Sequence, residues 1–171
     1  MVYITVVPHD PLWTAAYTIE AEQLQHILNK VLVGMHHIGS TAVEGLCAKP
    51  VIDIMPVVTN IEFVDGYNPE LAAIGYECMG EYGMPGRRYF RKGAKQRTHH
   101  VHVFETGNLF DTTRHLAVRD YLRAHPQVAL EYGRLKMGLA ARFPQDMDGY
   151  CDGKDAFVKQ LELAALEWSS S

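Results

Sequence analysis

The chain has 171 residues, 47% of them hydrophobic and 21% charged, which suits one globular domain with a sizeable core. A formal net charge of -4 supplies no global field for nucleic acid, so no nucleic-acid partner is expected and any anion site has to be local. Cys47, Cys78 and Cys151 are scattered and odd in number, which fits buried free thiols better than a disulfide framework or a zinc cluster. No apolar run nears the roughly 18 residues of a membrane span, and the N-terminus has no basic lead or cleavage site, so a cytoplasmic, soluble protein with no membrane partner is expected.

Val2–Val7 is β-branched and reads as a short strand or an extended lead-in. Asp10 can cap a helix, and Pro11 suits its first position. Trp13, Ala16, Tyr17, Leu24, Ile27, Leu28 and Val31 then recur at helical spacing, predicting a helix that runs to Lys30. Met35–Ile38 and Val51–Val58 read as strands. Between them lie the small-residue turn Gly39-Ser40-Thr41 and the proline-stiffened Lys49-Pro50. Asn60 can cap a helix over Ile61–Ile74, interrupted by Gly66 and Pro69 and stopped at Gly75.

Gly80, Gly83, Pro85 and Gly86 make a loop, Arg88–Arg91 a strand, and Lys92-Gly93-Ala94 the turn out of it. Thr98–Glu105 alternates cleanly: His100, His102 and Phe104 share one face, Val101 and Val103 the other. The sheet should hold four or five strands. After Gly107 three helices follow, one ending at His125-Pro126, one closing at Phe143-Pro144 and one marked by Phe157, Leu161, Ala164, Ala165 and Trp168. The Ser169–Ser171 tail is expected to be disordered. The predicted fold class is α/β (α+β). Residues 1–171 form a single domain, in which a mixed sheet flanked by helices occupies about 1–108 and a helical part occupies 109–168.

Four features could carry chemistry. Gly39-Ser40-Thr41 could face phosphate, with Gly39 allowing close approach and the hydroxyls donating; an ordinary turn with a helix cap is the alternative. Asp53 lies inside the apolar run VIDIM, where a carboxylate needs a cation or several donors. That need could be met by a metal, or by an ion pair to Lys49 or an arginine. His100 and His102 project from one strand face, so with Asp53 they could hold a first-row divalent metal; otherwise they are polar residues on a solvated face. His99 points the other way and reads as structural. Finally, Arg87, Arg88, Arg91, Lys92, Lys95 and Arg97 put six positive charges within eleven positions, either a local anion patch or a solvated hairpin. Arg119 and Lys154, on later helices, could face the same cleft.

The combination resembles the GrpB family, grouped with the nucleotidyltransferase superfamily. HIGSTAV at 37–43 and GLCAKPVIDI at 45–54 look like its core motif. YFRKG at 89–93 and RTHHVHVFETGN at 97–108 match a second block. RDYLRAHP at 119–126, Leu135-Lys136, Tyr150 and GKDAF at 153–157 match the helical part. The resemblance implies a polymerase-β-like nucleotidyltransferase fold, in which a G-S turn binds nucleotide phosphates and three carboxylates hold two divalent metals. Gly39 and Ser40 map to the turn, and Asp53 to the first acid. Met55 stands where the second acid belongs, and its thioether is no ligand for magnesium. His100 and His102 stand on the strand expected to carry the third acid, and Glu44 replaces an expected proline. One softer metal, or none, therefore suits this chain better than two.

The expected function is metal-dependent and nucleotidyltransferase-like, acting on or binding a nucleotide and a small acceptor. Asp53 is the catalytic acid; Asp53, His100 and His102 hold magnesium, manganese or a softer metal such as zinc. Gly39, Ser40, Thr41, Lys49, Arg88, Lys92 and Arg97 bind phosphate. The alternative is a degenerate module that binds a nucleotide or coenzyme A-type ligand, or helps a protein partner fold, since GrpB-like domains occur fused to dephospho-coenzyme A kinase. The chain itself carries no GxxxxGK[ST] loop. A metal-dependent hydrolase built on the Asp53, His100 and His102 set ranks below both.

Overall fold

The computed structural model describes residues 2–171. Helix α1, Leu12–Leu28, starts where Asp10 Oδ1 accepts the Leu12 N–H at 2.9 Å, and it ends two residues before Lys30. Strand β1 spans Leu32–Ile38 and β2 Ile52–Val58. Of the Val2–Val7 lead-in, only Val7 pairs, in an isolated bridge to Ala48.

The expected helix over Ile61–Ile74 divides in two. Ile61–Tyr67 winds as a 3-10 helix, capped by the Asn60 side chain on Glu62 N–H, and only Asn68–Ala73, α2, is α-helical. Gly66 and Pro69 account for the division, one adding backbone freedom and the other lacking an N–H. Gly75, at φ 99°, ends the run as expected.

Strands β3 (Tyr76–Cys78), β4 (Arg88–Lys92) and β5 (His99–Glu105) complete the sheet among the described residues, in the order β1-β2-β5-β4-β3. The β2–β5 pair is parallel and its neighbours are antiparallel. Helices α3 (Leu109–Ala124), α4 (Pro126–Arg142) and α5 (Met147–Ser169) follow. Helix α5 starts ten residues before its first expected marker, where Asp146 accepts the Gly149 N–H. Ser169 belongs to this helix, and Ser170 N–H still donates to Leu166 O, so the expected disordered tail is instead its last turn. No helix is long and apolar enough to cross a membrane.

Strand alternation sorts the core into two faces. Ile52, Ile54, Val58, Val101, Val103 and Phe90 pack under α1 against Leu24 and Leu28. Ile38, Met55, Val57 and Phe104 face the other way, toward Leu116 of α3. The segment leaving β1 is gripped by the helical part, where Val43 and Leu46 pack with Leu122, Ala129, Tyr132 and Leu161.

On the α1 face sits a buried charge group. Glu20 accepts from Lys92 Nζ at 2.7 Å and from Tyr76 Oη at 2.8 Å, and its other oxygen lies 3.9 Å from His99 Nε2. These contacts tie α1 to β3, β4 and β5. They also give His99 the structural role its strand position suggests. Replacing Glu20 with Ala strands a half-buried ammonium and a phenol. We expect a loss of about 3 kcal/mol, read as a lower urea midpoint with unchanged slope.

Candidate functional site

Asp53 is the second residue of β2, and His100 lies beside it in the parallel register of β5. His102, two residues on, shares its face. His102 Nε2–H donates to Asp53 Oδ1 at 3.0 Å, and His100 Nδ1 lies 3.5 Å from the same oxygen. Burial pushes the Asp53 carboxyl upward, but the hydrogen bonds and charge of the two imidazoles overcome it and hold it well below the usual carboxylate range. One ligand atom from each residue lies within 4.8 Å of the others. The expected triad is therefore assembled, and its oxygen–nitrogen donor set suits a first-row divalent cation.

The glycine turn is joined to this triad. Gly39 has φ 73°, and a Cβ there would stand 2.6 Å from Asp53 Oδ2. A side chain would meet both a strained backbone and the carboxylate. Ser40–Ala42 then forms a short 3-10 turn rather than the cap of a longer helix. Ser40 Oγ accepts from Lys136 Nζ at 2.7 Å. Thr41 is buried, and its hydroxyl is paired with His37 Nε2 at 2.9 Å, so it is less free than Ser40 to meet a ligand.

Above the turn is a cleft of about 140 Å³, walled by Ser40, Asp53 and His100 on the sheet side and by Lys136, Tyr150 and Lys154 on the helices, with Lys49 at its edge. Lys136 is 2% exposed. Among the described residues no carboxylate comes within ion-pairing distance of its ammonium, which lies 4.4 Å from the centre of the Tyr132 ring. Burial first, and then Lys154 and Lys49, push its amine down to about 7. Burial also lowers Lys154. Lys49 and Lys154 lie 5.4 and 5.1 Å from the centre of the Tyr150 ring. Tyr150 is fully buried and its hydroxyl has no hydrogen-bond partner among the described residues.

The expected phosphate ligands thus separate. Ser40, Thr41 and Lys49 line the cleft, and Gly39 lies in the turn against Asp53. Arg88 and Lys92 do not, because they alternate with Tyr89 and Arg91 and so lie on the α1 face. There Arg88 pairs with Asp65 at 2.7 Å and Lys92 with Glu20. Arg97 donates to Gly93 O and lies 3.8 Å from Glu77, which also takes Arg91. Four of the six charges, Arg88, Arg91, Lys92 and Arg97, are thus taken by carboxylates rather than gathered into a patch. Arg87 stands at the rim, 3.5 Å from His102 Nδ1. Lys154 faces the cleft as expected, whereas Arg119 donates to His37 O.

Lys136 is the cleft residue that local reading misses. A signal was present: it sits four residues after Tyr132 and three before Leu139, within the apolar stripe of α4. Met55 is fully buried among Ile38, Val57 and Phe104, so the position of a second acid is filled by core.

The GrpB protein family model matches residues 3–163. UPF0157 protein YqkA of Bacillus subtilis (strain 168) is 42% identical over 165 residues, covering 96% of this chain and 48% of that protein, so the chain spans about half the length of this relative. The crystal structure of conserved protein GrpB from Enterococcus faecalis superposes with a TM-score of 0.95 at 45% identity, covering 98% of this chain and 100% of that one. The Cid1 poly(U) polymerase bound to MgATP gives a TM-score of 0.54 at 10% identity over 77% of this chain and 45% of its own, a likeness of fold alone. The sheet order, the turn-to-strand arrangement and these matches agree: the chain belongs to the GrpB family and has a nucleotidyltransferase-like fold.

Proposed function

We propose that this chain is a metal-dependent, nucleotidyltransferase-like protein that holds the phosphates of a nucleotide in the Ser40–Asp53–Lys136 cleft and passes the nucleotidyl group to a small acceptor. The observation that carries the reading is Lys136, a buried ammonium with no carboxylate in ion-pairing distance among the described residues, facing a cleft that already holds Lys49 and Lys154. An anionic ligand supplies the missing charge, and the unpartnered Tyr150 hydroxyl supplies a further donor.

Asp53, His100 and His102 would hold one divalent cation, which neutralises charge on the transferring phosphate. Lys136 and Ser40 orient the phosphates, and Lys49 and Lys154 stabilise the leaving group. In the transfer, the acceptor oxygen bonds to the α-phosphorus as the bond to the bridging oxygen breaks. Pyrophosphate leaves toward the lysines and the acceptor proton leaves to water. A second reading, ligand binding without turnover, is favoured by Met55, whose burial removes the partner acid of a two-metal site. Pyrophosphate release from a nucleoside triphosphate separates the two.

We expect release that depends on manganese or magnesium and is lost in Asp53→Asn. Release that persists in the variant, or none from wild type with any acceptor, sinks the transferase reading. Titration calorimetry should give one manganese per chain. Met55→Asp should destabilise the fold by about 3 kcal/mol or more, because it buries an unpaired carboxyl and leaves a cavity where the thioether packed; urea denaturation measures this.

The pH dependence has a definite sign. Lys136 titrates near 7 in the free protein, and a bound phosphate favours its charged form. Binding therefore takes up a proton above pH 7. Affinity for inorganic tripolyphosphate should fall as pH rises from 7, by up to about tenfold per pH unit. Lys136→Met should bind more weakly at pH 6.5 or below and show a flatter profile over the same range. Parallel profiles for the two proteins would remove Lys136 from the phosphate site.

A further inference from the structure

Beside the cationic cleft lies a second hollow of about 130 Å³. The two share Lys49, Val51 and His100, so a ligand can occupy both without leaving the protein surface. Their chemistry differs. The cleft is lined by lysines, hydroxyls and a carboxylate, while the hollow is walled mainly by apolar groups, among them Tyr3, Ile4, Pro50 and Met147. Gln96 stands at its edge and brings an amide with both donor and acceptor atoms.

The hollow is already formed. Its outer wall is the N-terminal lead-in, an extended segment pinned at two points. Ile4 N–H donates to Pro144 O at 2.8 Å, and Val7 exchanges both backbone bonds with Ala48. Ile4 packs with Leu139 and Tyr150, which ties this wall to the helices that carry Lys136 and Lys154. Tyr3, 62% exposed, and Met147, 46% exposed, therefore border a fixed space instead of collapsing onto one another. A ring, a thioether and a proline along one small hollow make a stacking surface. The amide at the rim matches the donor–acceptor edge of a flat heterocycle.

Resting on the phosphate reading of the cleft, we propose that this hollow seats the nucleobase of the bound nucleotide, with Tyr3 and Met147 against its face and Gln96 at its edge. The arrangement divides recognition in two. Lys136, Lys49 and Lys154 meet the phosphates common to all nucleotides. The lead-in and the loop before β5 meet the base, and so decide which nucleotide binds. None of Tyr3, Met147 and Gln96 belongs to the metal or phosphate set.

The test compares ATP, UTP and inorganic tripolyphosphate by titration calorimetry in the presence of manganese. It uses the full chain, Tyr3→Ala and Gln96→Ala. Wild type should bind at least one of the two nucleotides about tenfold more tightly than tripolyphosphate, the gain expected of one stacked base. Tyr3→Ala should remove most of that gain and leave tripolyphosphate binding unchanged. Gln96→Ala should narrow the ratio between ATP and UTP. If tripolyphosphate binds but neither nucleotide binds more tightly, or if Tyr3→Ala weakens all three ligands alike, the hollow does not hold a base while the cleft reading stands. If tripolyphosphate and both nucleotides fail to bind wild type, the cleft reading fails and this inference falls with it.

Discussion

An ionised carboxylate on a central strand has to be satisfied from its own face, and Asp53 sets much of the surrounding structure by that demand. The neighbouring strand must bring donors into register, which is why His100 and His102 stand where they do on β5. The backbone on its other side must be bare, which is why the chain leaves β1 through Gly39 at positive φ. Strands β2 and β5 are thus held to one another by a side-chain cluster as well as by their ladder. The turn that follows Gly39 then delivers Ser40 to Lys136. Removing the charge would free both imidazoles together, because both meet the same carboxylate oxygen.

Lys136 poses the complementary demand from the helical side. A protein with a net charge of -4 has carboxylates to spare, yet among the described residues the buried ammonium contacts a hydroxyl and an aromatic face and no carboxylate at ion-pairing distance. The strand charges are balanced on both faces, Lys92 by Glu20 of α1 and Asp53 by the imidazoles of β5. The helices leave theirs open toward the cleft. That asymmetry is what the proposed anion site would use: a positive wall on one side and metal-type donors on the other.

Much of this was legible in the sequence because it follows from period-two alternation. That rule puts Asp53 and Met55 on one face of β2 and His100 and His102 on one face of β5, so the triad needed only the assumption that the strands are neighbours. The same rule on β4 gives Arg88, Phe90 and Lys92 a common face, and the apolar Phe90 marks it as the core side beneath α1. Read as a count of charges, the run suggested an anion patch; read by its alternation, it did not. Lys136 was hidden for a different reason. Its helix makes contact with the turn only through tertiary packing, so its place in the apolar stripe of α4 marks it as inward-facing but does not say what it meets. The division at Ile61–Tyr67 reflects competition between a helical pattern and its glycine and proline. Periodicity alone does not weigh that competition.

The parallel pairing of β2 with β5 has one more consequence. Asp53 and His100 are each the second residue of their strand, so the donor-bearing end of the pair is where the strands begin. In open parallel sheets ligands ordinarily gather where strands finish. Here the segments that border the pocket are the approaches, Lys49-Pro50-Val51 into one strand and Gln96-Arg97-Thr98 into the other. An approach segment can lengthen or change its side chains while the ladder behind it keeps its register. The metal-type donors and the recognition surface are therefore on separately adjustable stretches of chain, and one can drift in sequence while the other is held fixed.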